Sequence, residues 1–265
     1  MAWPDVYYSS NTHGVDHEKI AFAYCPRRHA FVRLRLFRHG RGRGYFRLGQ
    51  WLGQWNKNWN IGVGYRLLYQ IRGVGPDNII FVVGDSFSIK AEGTDEALAA
   101  LRYKLDDGAI RIGRTKGKWF GEGAKPATIT ITAPFLSQAS LAGSGNFAAD
   151  TMDAEELDLE IAGSGSIKVG ALTGRKLETN IAGSGEAFLA GKVDKAKYSI
   201  AGAGTVDAAK LVSTDAEVNI AGSGDLKLNA TGTVDVSIAG SGDVDVTGGA
   251  KCTTSKMGSG NVNCS

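Results

Sequence analysis

Proline, histidine and long apolar stretches are scarce in this chain of 265 residues. With 5 Pro the chain cannot be collagen-like, although its 37 Gly are well above the usual share. No run of 18 apolar residues occurs, which excludes a membrane-spanning helix. The N-terminus shows no basic start followed by an apolar stretch, so no signal peptide is visible in the chain. At 43% hydrophobic residues, the composition is nevertheless too apolar for a wholly disordered chain.

Charge is distributed unevenly along the chain. Residues 1–75 hold 12 Lys and Arg against 3 Asp and Glu, whereas residues 76–265 hold 18 against 24. All 4 His and 4 of the 5 Trp also precede residue 76. Two different compositions therefore share the chain.

One short motif recurs throughout the C-terminal half of the sequence. The tetrapeptide Ala-Gly-Ser-Gly, with the variants AGAG and MGSG, returns at intervals of 18 to 20 residues. Such regular recurrence indicates structural repeats that stack on one another. The tetrapeptides start at Ala142, Ala162, Ala182, Ala201, Ala221, Ala239 and Met257.

Apolar and polar residues alternate around each tetrapeptide. In one repeat, for example, Ile200, Val206 and Ala208 are apolar and Asp207 is polar. Alternation with a period of two predicts strands with one buried face, whereas the repeated glycine pair would interrupt any helix. The fold predicted from this spacing is all-β, a parallel β-solenoid whose coils of about 18–20 residues turn at Gly-Ser-Gly.

The array of IAGSG coils, together with the preceding segment GPDNIIFVVGDSFSIKAEG, resembles the bacterial head GIN domain family of autotransporter-type adhesins. The resemblance runs from about Gly73 to Ser265. It implies a right-handed parallel β-helix, no known catalytic site, and export to a periplasmic, outer-membrane-associated or extracellular location. The predicted function is a non-enzymatic cell-envelope protein, an adhesin or surface scaffold. Its partner would be an unknown surface protein or glycan; we expect no cofactor, and the prediction allows for homo-oligomers.

Residues 73–135 are expected to form the first, less regular coils of this domain. Their patterns predict strands at Ile79–Val83, Phe87–Gly93, Ala109–Gly113 and Ala127–Ala133. The segment Ala97–Leu105 is compatible with a strand or a short helix.

Residues 1–72 lie outside the resemblance and show no coil spacing. One interpretation is a genuine basic extension, whose arginines and tryptophans, such as Arg33, Trp51 and Trp55, could bind nucleic acid or anionic lipid. The other is a shifted reading frame or miscalled start, which the abrupt change in composition favours. We therefore expect this basic, Trp- and Arg-rich region to lie outside the fold, which occupies residues 73–265, and we expect no nucleic-acid partner.

Two cysteines near the C-terminus occupy core columns of the repeat. Cys252 and Cys264 stand six residues before and six residues after Gly258, where the preceding repeat has Val234 and Val246. Both positions should point inward, with Cys264 stacked on Val246 just across the corner from Cys252. We predict a disulfide between them, which fits an exported protein, whereas the alternative is two small buried thiols.

Two acidic residues carry the alternative function, a carbohydrate-active β-helix enzyme. Asp225 and Asp243 share one column in adjacent coils, about 4.8 Å apart, and glycosidases use paired carboxylates. The same column holds Asn146, Ser166 and Thr205 in other coils, which is typical of an ordinary polar ladder. We therefore predict no catalytic residue, and the absence of a GGxGxD pattern predicts no metal site of that type.

Overall fold

The computed structural model describes residues 19–25, 30–36, 68–115 and 125–265. The chain divides into two units, Met1–Trp55 and Asn56–Ser265, and each is described by itself. In the first unit, β1 (Lys19–Cys25) and β2 (Ala30–Leu36) form an antiparallel hairpin. Trp51 and Trp55, named above as nucleic-acid or lipid contacts, lie outside the described residues.

The second unit is a β-solenoid of about six turns, which confirms the predicted all-β fold class. Successive coils are joined by parallel strand pairs, and the first strand begins at Gln70. Its elements in chain order are β3 (Gln70–Gly75), β4 (Asn78–Val83), β5 (Ser88–Glu92), α1 (Asp95–Ala100), β6 (Leu101–Asp106), β7 (Ala109–Arg114), β8 (Thr128–Ala133), β9 (Gln138–Gly143), β10 (Asn146–Asp153), β11 (Glu156–Gly163), β12 (Ser166–Gly183), β13 (Glu186–Gly202), β14 (Thr205–Gly222), β15 (Asp225–Ala230), β16 (Thr233–Gly240), β17 (Val244–Thr247), β18 (Lys251–Gly258) and β19 (Val262–Cys264).

The predicted inward and outward columns are confirmed by burial. The isoleucine two positions before each first glycine lies in the core, as Ile200 does between its register partners Ile181 and Ile220. All three side chains are 2–3% exposed, whereas Lys227 on an outward column is exposed. Stacked coils therefore bury one continuous column of branched side chains, which is the main source of stability in a solenoid.

Each coil turns at the first glycine of its tetrapeptide. Gly222 has φ +133°, a conformation that residues with a Cβ rarely adopt. A Cβ at this position would also collide with the carbonyl oxygen of Gly202 in the preceding coil. The same corner is held by the backbone N–H of Ser223, which donates to that oxygen at 2.8 Å. Both the backbone angle and the close approach thus require glycine.

The N-terminal coils are less regular, as expected. Strands β4, β5, β7 and β8 fall within a residue or two of the segments predicted for them. The ambiguous segment contains both elements, because α1 ends at Ala100 and β6 follows directly. The Thr94 side chain caps α1 by accepting the Ala97 N–H. Strands β5 and β6 pair antiparallel with β8 and β7, so they depart from the parallel stacking of the later coils.

The last coil carries the predicted disulfide. Cys252 and Cys264 are bonded, with their Cα atoms 6.6 Å apart. Cys252 is the register partner of Val234 and Cys264 that of Val246, so the predicted stacking is confirmed. In this last coil Cys252 packs against the core, whereas Cys264 is exposed. Lys256 continues the isoleucine column after Ile238, and its Nζ donates to the Gly260 carbonyl at 3.0 Å.

Candidate functional site

A column of small residues lines one outer surface of the solenoid. The alanine that opens each tetrapeptide points outward, since it follows a buried leucine or isoleucine and precedes the turning glycine. Register pairing places these alanines directly beside one another in adjacent coils. We call this set the alanine column; it comprises Ala142, Ala162, Ala182, Ala201, Ala221 and Ala239, and Met257 takes the same position in the last coil.

A second outward column runs parallel to the first, two residues earlier in each strand. We call it the polar column; it comprises Ser140, Glu160, Asn180, Ser199, Asn219, Ser237 and Ser255. The two columns line a groove of about 740 Å³ that crosses seven strands. Six strand spacings give a length of about 29 Å. The groove floor consists of methyl groups, and its polar side carries hydroxyl and amide groups with one carboxylate.

The groove ends differently at its two limits. At the C-terminal limit, Met257 is 79% exposed and larger than the alanines before it. At the N-terminal limit, β3 places Val74 beside Ala142 and Arg72 beside Ser140. The next strand, β7, places Arg111 beside Arg72. Apolar side chains therefore stand in the alanine column at both limits. Two arginines lie side by side at the N-terminal limit, whereas the cation of the last coil, Lys256, donates to the Gly260 carbonyl.

An acidic stretch borders the polar column on its far side. Asp158 and Glu178 are register partners there. Glu160, a member of the polar column, lies two residues after Asp158 in the same strand. Partial burial raises the pKa of the Asp158 carboxyl, and the nearby charges of Glu160 and Glu178 raise it further. The Asp158 Oδ1 atom is buried without a hydrogen-bond partner among the described residues.

The carboxylates of the alternative enzyme hypothesis are used by the fold. Asp225 Oδ1 accepts the Asp243 backbone N–H at 3.1 Å, and Asp243 Oδ1 accepts the Asn261 N–H at 2.9 Å. Each carboxylate thus ties its coil to the next, as the polar-ladder interpretation expects. Neither residue lines the groove.

The described residues contain no group of three or more His, Cys, Asp or Glu that could hold a metal ion. In the same part of the chain, no helix is long and apolar enough to cross a membrane.

The groove was not foreseen from the sequence, although a signal for it is present. The buried columns and the corner at Gly-Ser-Gly were predicted, whereas no role was predicted for the tetrapeptide alanine. An outward strand position that holds alanine in six successive repeats is unusual, because exposed strand positions ordinarily carry larger polar or β-branched residues. That regularity is the signal.

Comparison with known proteins agrees with the repeat and the fold. The chain matches, over residues 69–250, the family described as "Putative auto-transporter adhesin, head GIN domain". The chain belongs to the head GIN domain family. The match covers most of the solenoid and stops before the disulfide-bonded coil. No functionally curated protein matches this head GIN domain chain.

Several solved structures share the fold. A "putative adhesin" from Bacteroides fragilis is 24% identical with a TM-score of 0.69, over 78% of this chain and 96% of that one. A "putative lipid binding protein" from Parabacteroides distasonis is 23% identical with a TM-score of 0.61, over 77% and 94%. A "putative adhesin" from Parabacteroides merdae is 19% identical with a TM-score of 0.58, over 77% and 94%. At these identities the similarity shows the solenoid fold.

Proposed function

We propose that this head GIN domain protein is a non-enzymatic adhesin of the cell envelope that binds a surface partner along the groove. The observation that carries the proposal is the groove itself, which crosses seven strands and has alanine at the same position in six of them and Met257 in the seventh. A solvent-exposed surface without a binding function does not require alanine at the same outward position in successive coils. Continuous apolar surface rimmed by polar groups is instead typical of binding sites.

The proposed location rests on the family description and on the disulfide. Disulfides persist in oxidising compartments such as the periplasm and the cell exterior. The Cys252–Cys264 bond supports an exported protein for that reason. The word lipid in the name of one structural neighbour describes that protein, and at 23% identity it assigns no ligand to the present chain.

A binding assay with the full chain tests the proposal. The immobilised protein is exposed to cell-envelope extracts, a glycan array and extracellular matrix proteins, and we expect saturable binding to at least one of them. The variant Ala201→Tyr fills the middle of the groove at an exposed position and should abolish that binding.

The matched control is Lys227→Tyr, which adds the same side chain at an exposed strand position outside the groove. It should bind as the parent does. Absence of saturable binding, or equal loss in both variants, would contradict the groove as the binding surface.

A further inference from the structure

We propose that the groove binds a long-chain fatty acid, with the acyl chain along the alanine column and the carboxylate at Arg72 and Arg111. This inference rests on the proposed binding function and names the ligand of the same groove. The size of the groove, the chemistry of its floor and the charge at one end support this ligand.

The dimensions of the groove exclude wide occupants. Two columns across seven strands define a strip on the order of 200 Å², far below the roughly 800 Å² per partner of a stable protein interface. The two columns stand two residues apart, about 6.6 Å, so the strip that they define is narrower than an α-helix with side chains, which is about 10–12 Å wide. The width of this open groove therefore matches one extended chain.

The chemistry of the floor selects an apolar chain. Methyl groups of the alanine column recur at every strand spacing, so the floor offers contact with CH₂ groups along its whole length. An extended peptide repeats every two residues, about 6.6 Å, and would fall out of step with coils spaced about 4.8 Å apart. An acyl chain has no polar period to match. The hydroxyl and amide groups of the polar column stay on the solvent side and keep their water.

The N-terminal end of the groove supplies the complementary charge. Arg72 and Arg111 are exposed register partners on adjacent strands, and like charges placed side by side in a sheet are destabilising. Neither guanidinium has an ion pair or side-chain hydrogen bond within the described part of the chain. Lys104, the next cation in the row, is paired with Asp106 at 2.8 Å. Two unpaired guanidinium groups form a site for a carboxylate, which each can bind through two parallel hydrogen bonds.

The two ends together give the ligand a direction. Its carboxylate lies at the arginines, its chain follows the alanine column, and its methyl end points towards exposed Met257. One acyl chain matches the width of the strip, whereas the second chain of a phospholipid would lie outside it. The fatty acid is therefore the occupant to which both the groove and its charged end correspond.

Titration of the full, disulfide-bonded chain with palmitate below its micellar concentration tests the inference. We expect binding that is blocked by Ala162→Tyr, two strand spacings from Arg72 and beneath the middle of the acyl chain, and retained in Lys227→Tyr. Because an open groove covers about half of each CH₂ group, affinity should rise about twofold per methylene, so octanoate should bind more than about 100-fold more weakly. The double variant Arg72→Ser/Arg111→Ser should weaken palmitate binding about tenfold. Hexadecanol, which has the same chain without the charge, should not respond to that variant.

The charge-matched control is Lys168→Ser/Lys227→Ser, which also removes two exposed cations but from a column outside the groove. It should leave palmitate binding unchanged. Failure to bind palmitate, binding that is unaffected by Ala162→Tyr, equal effects of the two double variants, or binding only to phospholipid vesicles would each overturn the inference. If a surface partner binds, is blocked by Ala201→Tyr and is not displaced by palmitate, the ligand assignment is wrong while the proposed function stands.

Discussion

Ile200 occupies the middle of the stacked isoleucine column and is 2% exposed. Replacement by alanine would leave a cavity between Ile181 and Ile220, since neither neighbouring coil can move without breaking its own strand pairs. We expect Ile200→Ala to lower the free energy of unfolding by about 2–5 kcal/mol in urea denaturation. Lys227→Ala, on the solvent side, should cost less than about 0.5 kcal/mol. Equal losses would mean that the inward and outward columns are wrongly assigned.

Gly222 combines a positive φ with a close backbone approach. Gly222→Val should therefore cost well over about 1 kcal/mol of unfolding free energy, because strain and collision with the Gly202 carbonyl add. Gly249 is a matched control, since it also has positive φ but a Cβ there would meet nothing within 4 Å. Gly249→Val should cost only the backbone strain. If the two losses are the same, the packing of the corner contributes nothing.

Asp158 should make stability depend on pH in an unusual direction. Its native pKa is raised by partial burial and by the charges of Glu160 and Glu178, so ionisation disfavours the folded state. The penalty is present at neutral pH and disappears as pH falls through the raised native pKa towards the ordinary value near 4. We expect Asp158→Asn to be more stable than the parent at pH 7 and equal to it below about pH 4. Denaturation midpoints of both proteins across this range provide the measurement, and a less stable variant at pH 7 would contradict it.

At the scale of elements, the irregular first coils are joined by a buried ion pair. Arg114 at the end of β7 donates to Asp77, between β3 and β4, through Nε at 2.9 Å and Nη2 at 2.5 Å. Asp77 also accepts the Ala127 N–H before β8, and Arg114 donates to the Lys125 carbonyl. The two side chains are 4% and 2% exposed. One ion pair thus adds side-chain hydrogen bonds between segments that are also joined by the parallel pairs β3–β7 and β4–β8.

Removal of the arginine should destabilise these coils more than removal of both partners. Arg114→Met leaves a buried carboxylate without its cation and should cost about 3–5 kcal/mol of unfolding free energy. The double variant Arg114→Met/Asp77→Asn removes that charge as well and should recover part of the loss. Hydrogen exchange in residues 125–133 should report the same order. A double variant that loses more than the single one would contradict this account.

At the scale of the whole molecule, the two ends of the solenoid are closed by different means. The N-terminal end carries α1 and the antiparallel strands β5 and β6, whereas the C-terminal end has the exposed strand β18 and the disulfide. A solenoid end exposes unpaired strand edges that invite association with another chain. Polar Thr254 and Lys256 in the last coil reduce that tendency.

The disulfide should stabilise mainly the last coil. Cys252 and Cys264 are 12 residues apart in sequence, and closing a loop of this size contributes about 3 kcal/mol by the chain-entropy estimate. We expect non-reducing mass spectrometry of protein from an oxidising compartment to find the bond. Reduction should increase hydrogen exchange chiefly after Gly249, while Cys252→Ser/Cys264→Ser should not respond to reductant. Free thiols in such material, or a loss of protection spread over all coils, would contradict the prediction.

The sequence by itself determined the coil, its period, its buried columns and the disulfide. Alternation along each strand decides which residues face the core, and a constant glycine spacing sets the register between coils. The register partners of Ile200 and Cys264 could therefore be predicted from the sequence. The family resemblance could be recognised from the sequence for the same reason, because the IAGSG motif that carries it forms the corner of each coil.

Only the tertiary structure decided what the coils form together. The groove depends on how the turn beside each alanine is oriented, which alternation does not specify. Asp77 and Arg114 are 37 residues apart, and Arg72 and Arg111 are 39 apart, in coils that lack the repeat motif. Arg72 and Arg111 are brought together by the parallel pairing of β3 with β7, although the chain between them includes the helix and the antiparallel strand β6. Contacts between distant segments follow from the path of the chain, and a local pattern carries no record of that path.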